Sequence, residues 1–183
     1  MKETKSGPGQ ERRSGSWLQT LALGRNPKTT LIRAAVLAAV CVVLFKWVLL
    51  PVRVQGISMT PTYADHSVHF VNRLAYLWHE PRRGDVVGIR LTPPNGWSAP
   101  HIMYFKRIIG LPGESISFVG GRVLVNGQTL DEPYEKRPCD WNAAAVTLGG
   151  HEYFVVGDNR SMAKEEHDFG RAERSRIVGK ALL

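Results

Sequence analysis

The stretch Gly56-Ile57-Ser58-Met59-Thr60-Pro61-Thr62 divides the chain into two parts with different patterns. A long apolar run precedes it, and short segments rich in β-branched residues follow it. Gly56 allows a close backbone approach, while Pro61 fixes its own φ and favours an extended Thr60. We therefore expect the Ser58 hydroxyl on a constrained bend. Serine and threonine beside proline also form ordinary turns, so a purely structural role stays open at this point.

The apolar run, residues 31–52, predicts a transmembrane anchor. As a helix its 22 residues would extend about 33 Å, which is enough to cross a bilayer. Lys46 lies near the far end, from which its ammonium group can reach the headgroups. A cleaved secretory signal has a shorter apolar region and a small-residue cleavage site, whereas this run ends in Leu-Leu-Pro-Val-Arg. We therefore favour an anchor that is not cleaved.

Charge predicts the orientation of that anchor. Of the formal net charge of +8, residues 1–33 carry +5, from seven basic and two acidic side chains. An excess of Lys and Arg before a span is typical of the cytoplasmic side. We expect residues 1–30 to be a largely disordered cytoplasmic tail, and residues 53–183 to lie on the periplasmic or extracellular side of the cytoplasmic membrane. The basic residues thus indicate a lipid bilayer as partner, and no helix-turn-helix or zinc-finger pattern indicates nucleic acid.

The two cysteines predict neither a disulfide nor a metal site. Cys41 falls within the apolar run and Cys139 lies far outside it, so one sulfur would have to leave the bilayer for a bond to form. No metal-ligand spacing and no nucleotide-binding glycine motif occurs. We expect no metal and no organic cofactor.

Beyond the bend the pattern predicts a mostly β, antiparallel domain, coiled or barrel-like. Gly120-Gly121 separates two strand-like segments as a hairpin turn, and Asn126-Gly127 gives another turn. Residues 92–100 and 133–150 are predicted to be surface loops. The predicted strands are residues 67–71, 84–91, 102–109, 115–119, 122–125 and 152–156.

Lys106 lies inside an otherwise apolar strand. Alternation places Ile102, Tyr104, Lys106 and Ile108 on one face. Burial of that face favours the neutral amine over the ammonium ion, and a neutral amine beside a serine can act as general base. The alternative is an edge-strand lysine that discourages aggregation.

The histidines are weaker candidates for a base. His66 and His69 follow Ser58 closely, but no acidic partner is evident to orient either ring. His151 and His167 fall at strand or loop ends, and we expect them at the surface.

Four segments in order resemble the type I signal peptidase family of serine–lysine membrane proteases. Residues 56–62 resemble its nucleophile motif, and residues 106–114, Lys-Arg-Ile-Ile-Gly-Leu-Pro-Gly-Glu, resemble its general-base motif closely. Gly84-Asp85-Val86-Val87 lies between them, and Gly157-Asp158-Asn159-Arg160 is followed by Phe169-Gly170 at the family's spacing. The similarity covers most of residues 31–183.

This resemblance implies a role for each matching residue. Ser58 would be the nucleophile and Lys106 the general base. The Ser58 backbone N–H would help to form the oxyanion hole, where many members add a side-chain donor at the position of Gly56. Met59 would shape the substrate cleft, and Asp158 and Arg160 would support the site. The substrates would be exported precursor proteins, cleaved after small residues at the −3 and −1 positions.

The last motif departs from the family's pattern. Where the family usually has a serine that holds the lysine amine, this chain has Ala163, and Glu165-Glu166-His167 replaces an Asp-Ser-Arg triplet. Ser161 or a water molecule could take over the contact with the amine. The departure also resembles specialised members that mature pilin or conjugative-transfer proteins, which is our alternative function. A third hypothesis is an inactive homologue that only binds precursors, although intact Ser58 and Lys106 argue against it.

Overall fold

The computed structural model describes residues 27–90, 103–134, 139–167 and 169–182. The predicted loop at 92–100 and almost all of the predicted tail lie outside these residues. The chain divides into two compact units, one ending at Val43 and one beginning at Leu44. Helix α1 spans Pro27–Val43, so the last residues assigned to the tail are helical. The 17 residues of α1 continue directly into a π-helix, Leu44–Val48.

The helix from Lys28 to Val48 has 21 residues and is long and apolar enough to cross a membrane. It ends before the predicted boundary, because Leu49–Arg53 form strand β1. Pro51 is tolerated there because β1 is the edge of its sheet, where a missing N–H interrupts no central ladder. Ser58 therefore follows the end of the helix at Val48 by ten positions, which sets an upper limit of about 35 Å on their separation.

Six of the remaining strands lie at predicted positions, whereas the other four, at residues 128–129, 143–147, 170–173 and 177–181, were not predicted. Strand β8, Ala143–Thr147, lies within the predicted loop at 133–150, so that loop assignment was wrong over these residues. The other strands are β2 Val68–Asn72, β3 Val86–Arg90, β4 Met103–Gly110, β5 Ser115–Val119, β6 Arg122–Val125, β7 Gln128–Thr129, β9 Glu152–Val156, β10 Gly170–Glu173 and β11 Ile177–Ala181. Short 3₁₀ helices cover Lys164–Glu166 and Arg174–Arg176.

The strands form two antiparallel sheets, which confirms the predicted fold class. The larger sheet has seven strands in the order β1-β2-β11-β3-β4-β9-β10, and the smaller has four in the order β7-β6-β5-β8. Within the described residues neither sheet closes into a barrel. Both predicted glycine turns are present, and Gly120, Gly121 and Gly127 have φ of 53°, 80° and 80°, values that glycine adopts without strain.

Strand β4 separates two parts of the hydrophobic core. Ile108 packs on one face with Val87 and Val155, while Ile109 packs on the other face with Phe118 and Val156. Because β4 pairs with β3 on one side and β9 on the other, its backbone is hydrogen-bonded along both edges. Side chains on β4 are consequently held in fixed positions, and Lys106 is one of them.

Candidate active site

The predicted nucleophile lies on the loop between β1 and β2. Gly56 has a φ of +93°, and its N–H donates to Asp65 Oδ1 over 2.8 Å. The Thr60 hydroxyl donates to the Ile57 carbonyl over 2.9 Å, which closes a short turn around Ser58. The Gly56 N–H is therefore occupied by Asp65, whereas the Ser58 N–H donates to no acceptor among the described residues.

The structure brings Ser58 and Lys106 together, although 48 positions separate them in sequence. Lys106 is only 4% exposed, and its Nζ lies 3.1 Å from Ser58 Oγ. It is paired with Val87 of β3 and lies at the centre of the larger sheet. This is hydrogen-bonding distance between an amine and a hydroxyl, the geometry required for proton transfer.

Asp158 and Arg107 connect the two chain segments that carry the pair. The Arg107 guanidinium donates to both Asp158 oxygens, over 2.7 and 2.6 Å, and the Thr62 hydroxyl donates to Asp158 Oδ2 over 2.5 Å. Burial lowers the pKa of Arg107, but the bonds to Asp158 outweigh it and the net shift is upward. Through its bonds to Thr62 and Arg107, Asp158 therefore ties the Ser58 loop to the strand that carries Lys106.

Arg160 supports the site from further away. Its Nε donates to the Gly157 carbonyl over 2.9 Å, and its Nη2 donates to Glu132 Oε1 over 2.6 Å. Arg160 is 1% exposed, so both partners satisfy a guanidinium that water does not reach. Neither Asp158 nor Arg160 contacts Ser58 or Lys106 through the bonds described, and their role in supporting the site stays a prediction.

Asn159 is a site residue that the sequence interpretation did not single out. Its backbone N–H donates to the Ser58 carbonyl over 2.9 Å, and its side-chain Nδ2 donates to the Ile57 carbonyl over 3.0 Å. Next to it, a Cβ on Gly157 would lie 2.2 Å from the Ser58 carbonyl oxygen. The segment Gly157-Asp158-Asn159 thus packs directly against the nucleophile loop. In the sequence, the position of Asn159 in the last motif is the only indication of these contacts.

Three residues of the altered last motif lie in different surroundings. The Ser161 hydroxyl donates to Asn159 Oδ1 over 2.7 Å, so it braces the asparagine that holds the loop. Ala163 is exposed and precedes the 3₁₀ helix Lys164–Glu166. His167 is 4% exposed and lies against Trp141, with ring centroids 4.9 Å apart. Its predicted surface position was wrong, because packing against aromatic rings buries it.

Two depressions flank the serine–lysine pair and share Tyr104. The first has a volume of only about 10 Å³ and contains Ser58. Met59 lines it, as expected, while Gly56 is not among its lining residues. The second contains Lys106 and has a volume of about 370 Å³. The first is lined by Val52, Val54, Gln55, Ser58, Met59, Met103, Tyr104 and Phe105. Within the described parts of the chain, no cluster of three or more His, Cys, Asp or Glu side chains could hold a metal ion.

Comparison with known proteins shows the same family as the sequence motifs. A family model described as "Signal peptidase, peptidase S26" matches residues 28–183. A signal peptidase I from Leptolyngbya laminosa is 35% identical over 128 residues, covering 69% of this chain and 63% of that protein. A signal peptidase I from Bacillus licheniformis is 32% identical over 160 residues, covering 81% of this chain and 83% of that protein.

The chain spans less than two thirds of the length of the cyanobacterial relatives that it matches. A crystal structure of a signal peptidase I from Enterococcus faecalis aligns with 55% of this chain and 96% of that one, at 26% identity and a TM-score of 0.41. The family match covers the apolar helix, the loop that carries Ser58 and the strand that carries Lys106. The chain therefore belongs to the signal peptidase family, peptidase S26.

Proposed function

We propose that this chain is a membrane-anchored serine endopeptidase that removes signal peptides from exported precursor proteins. The observation that carries the proposal is the distance of 3.1 Å between Lys106 Nζ and Ser58 Oγ, in a chain of the peptidase S26 family. Lys106 is 4% exposed, and such burial favours a neutral amine that can accept a proton. Serine–lysine pairs are a known variant of serine-nucleophile catalysis.

The reaction takes place in two steps. Lys106 Nζ takes the proton of Ser58 Oγ as the oxygen attacks the scissile carbonyl, and the Ser58 N–H donates to the oxyanion of the tetrahedral intermediate. Lys106 then gives the proton to the leaving amine, the peptide C–N bond breaks, and the signal peptide remains as an ester on Ser58. Water, deprotonated by Lys106, attacks that ester and releases the signal peptide's carboxylate, while the proton returns to Ser58.

The first depression supports a preference for a small residue before the scissile bond. Its volume of about 10 Å³ leaves no room for a large side chain against Met59, which is 1% exposed. Burial raises the pKa of the adjacent Tyr63 phenol, Arg107 lowers it and Asp158 raises it, and the net shift is upward. Met59 and the neutral Tyr63 belong to one hydrophobic cluster, so the cleft has an apolar wall.

The basic excess in residues 1–33 supports a cytoplasmic N-terminus and a peptidase unit on the periplasmic or extracellular side of the cytoplasmic membrane. Because Ser58 follows Val48 by ten positions, the nucleophile lies at most about 35 Å from the helix end. A precursor still held in the bilayer by its signal peptide meets this requirement.

Cleavage of a precursor with an Ala-x-Ala site tests the proposal. The full chain in detergent should release the mature protein, and Ser58→Ala should abolish release while retaining the thermal unfolding midpoint of the parent. Ser117→Ala is the matched control, because Ser117 lies on strand β5 of the smaller sheet and lines neither depression. A parent chain that cleaves no precursor, where an established signal peptidase does, would contradict the proposal and favour the inactive precursor-binding homologue.

The altered last motif supports a second candidate, a maturation peptidase dedicated to pilin or conjugative-transfer proteins. Glu165-Glu166-His167 replaces the family's triplet, and His167 is buried against Trp141. Replacement of the general signal peptidase in depleted cells separates the two candidates. A general enzyme restores growth, whereas a dedicated enzyme does not and still processes its own substrate.

A further inference from the structure

The second depression is a groove on the Lys106 side of the catalytic pair, which we name the Arg176 groove. Its volume of about 370 Å³ falls within the range of about 300–1,000 Å³ that is common for ligand clefts. Ile89, Val155 and Ala172 contribute apolar side chains to it, Lys106 lies beside it as the catalytic amine, and the arginines Arg171 and Arg176 also line it. It therefore combines an apolar surface with positive charge.

The chemistry of the proposed reaction indicates which part of a substrate enters this groove. The base that deprotonates Ser58 must next protonate the leaving amine, so the leaving segment has to pass Lys106. The acyl segment occupies the depression that contains Ser58 and Met59. Since the two depressions share Tyr104, a continuous peptide can pass from one to the other. The leaving segment is the N-terminus of the mature protein.

The charges around the groove differ in how they are paired. No Asp or Glu is among its described lining residues. Arg171 is paired with Phe154 in the β9–β10 ladder, which places its side chain on the face opposite to Ala172. Its Nη1 lies 3.7 Å from Glu152 Oε2, so the charge of Arg171, which also lines the groove, is partly compensated.

Arg176 has no such compensation. It is the last residue of the 3₁₀ helix Arg174–Arg176, which connects β10 to β11, and its side chain is exposed. Among the described residues it takes part in no ion pair, whereas the neighbouring Arg174 donates to Glu80 over 2.6 Å. Arg176 is consequently the cation of the groove that can attract an anionic group on a bound peptide.

We propose that the Arg176 groove binds the first residues of the mature protein and that Arg176 selects an acidic side chain there. This inference rests on the proposed peptidase function and adds a specificity determinant on the leaving-group side. An exposed ion pair contributes little, about 0.2–1 kcal/mol. The expected preference for an acidic over a basic residue is therefore about 1.4- to fivefold in kcat/KM at low salt.

A set of precursors that are identical up to the cleavage bond tests this inference. Each carries Asp, Asn or Lys at one of the first three mature positions, and cleavage is measured in neutral detergent. The parent should cleave the best-placed Asp precursor faster than its Lys counterpart, and added salt should reduce the ratio. Arg176→Ala should bring the ratio to about one and Arg176→Glu should invert it. Arg122→Ala, the matched control, removes an exposed arginine of β6 that does not line the groove, so it should keep the parent's ratio. Thermal unfolding verifies that each variant is folded.

The outcomes separate this inference from the function on which it rests. Failure to cleave the Asn precursors would overturn the peptidase function and the groove assignment together. Cleavage without charge preference, or a preference that survives in Arg176→Ala, would overturn the groove assignment alone. If Arg176→Ala slows all precursors equally, and only in vesicles with anionic lipid, Arg176 contacts the bilayer and the assignment is also overturned.

Discussion

The nucleophile and the base are held in place in different ways. Lys106 is part of β4, whose backbone pairs with β3 and β9 along both edges. Ser58 lies on a loop outside the ladders, and its carbonyl accepts a bond from Asn159, far away in sequence. The base is thus positioned by the sheet that forms the fold, whereas the nucleophile is positioned by a few contacts. Perturbing the sheet around Lys106 should lower the free energy of unfolding. Perturbing the contacts of the Ser58 loop should mainly lower the rate of cleavage.

The Asp158–Arg107 ion pair joins the two regions, and breaking it should have the largest effect on stability. Asp158→Ala leaves the Arg107 guanidinium, whose side chain is 11% exposed, without its bidentate partner. Loss of one member of a buried pair costs about 3–5 kcal/mol. Urea unfolding monitored by circular dichroism should show this loss in the free energy of unfolding.

Glu80→Ala is the matched control for Asp158→Ala. The Glu80 side chain is 72% exposed and pairs with Arg174, so its removal should cost less than about 1 kcal/mol. Equal losses in the two variants would contradict the view that Asp158 joins the two regions.

Asn159→Ala tests the loop contacts and should affect the rate more than the fold. The substitution removes the bond from Nδ2 to the Ile57 carbonyl, which allows Ser58 to move relative to Lys106. Misplacement of a reacting group by about 1 Å can cost on the order of 100-fold, so we expect kcat to fall about 10- to 100-fold. Asn142→Ala is the control, since Asn142 accepts from the Gly120 N–H in a turn outside the site. An unchanged kcat in Asn159→Ala would show that the loop is positioned without this side chain.

The contribution of Asp85 to stability, and its dependence on pH, tests the prediction that contacts within the sheet affect stability more than rate. Lys180 Nζ donates to Asp85 Oδ1 over 2.7 Å, and the Tyr76 hydroxyl donates to Oδ2 over 3.0 Å. Burial raises the pKa of Asp85, but these bonds and the Arg82 N–H outweigh it, and the net shift is downward. The carboxylate therefore stabilises the fold above its unfolded pKa of about 3.9, and this contribution is lost as pH falls through the folded value.

Asp85→Asn should accordingly lower the free energy of unfolding by about 1–2 kcal/mol at pH 7 and reduce the acid sensitivity of the fold below about pH 4. The rate per folded molecule should remain close to that of the parent. Denaturant titrations from pH 7 to pH 3 measure both effects. If Asp85→Asn lost stability at low pH as steeply as the parent, Asp85 would be excluded as the source of the parent's acid sensitivity.

Ala163→Ser should have the smallest effect. Ala163 occupies the N-cap position of the 3₁₀ helix Lys164–Glu166, without a side-chain cap bond, and a serine there should stabilise the fold by about 0.5–1 kcal/mol. Ala163 is exposed and does not line either depression among the residues described, so kcat should change less than about twofold. A large gain in kcat would show that the missing serine had limited the orientation of Lys106.

The pairing of Ser58 with Lys106 was predicted because the motifs around them resemble those of the serine–lysine peptidase family, and local patterns marked each residue. A glycine and a proline bracket the serine, and a charged residue interrupts an apolar strand. Alternation along the strand predicted that Lys106 and Ile108 share one face, and in the structure both side chains are buried.

Features that depend on tertiary contacts were not predicted. The apolar residues Leu49–Val52 have the composition of a membrane span, and only their pairing with β2 makes them a strand. Strand β8 begins with three alanines, which have low β propensity, and forms because it pairs with β5. The Asn159 contacts join segments about one hundred residues apart, and no local pattern indicates them.

A double-mutant comparison of Ser58→Ala and Lys106→Ala tests the central claim most directly. Both single variants and the double variant are assayed on one Ala-x-Ala precursor, with thermal unfolding as the check of folding. If the two residues act as one unit across the 3.1 Å contact, each single variant should lose about as much activity as the double variant, on the order of 10⁴-fold or more. Losses that multiply in the double variant, or a Lys106→Ala variant that retains most of its activity, would contradict the serine–lysine mechanism.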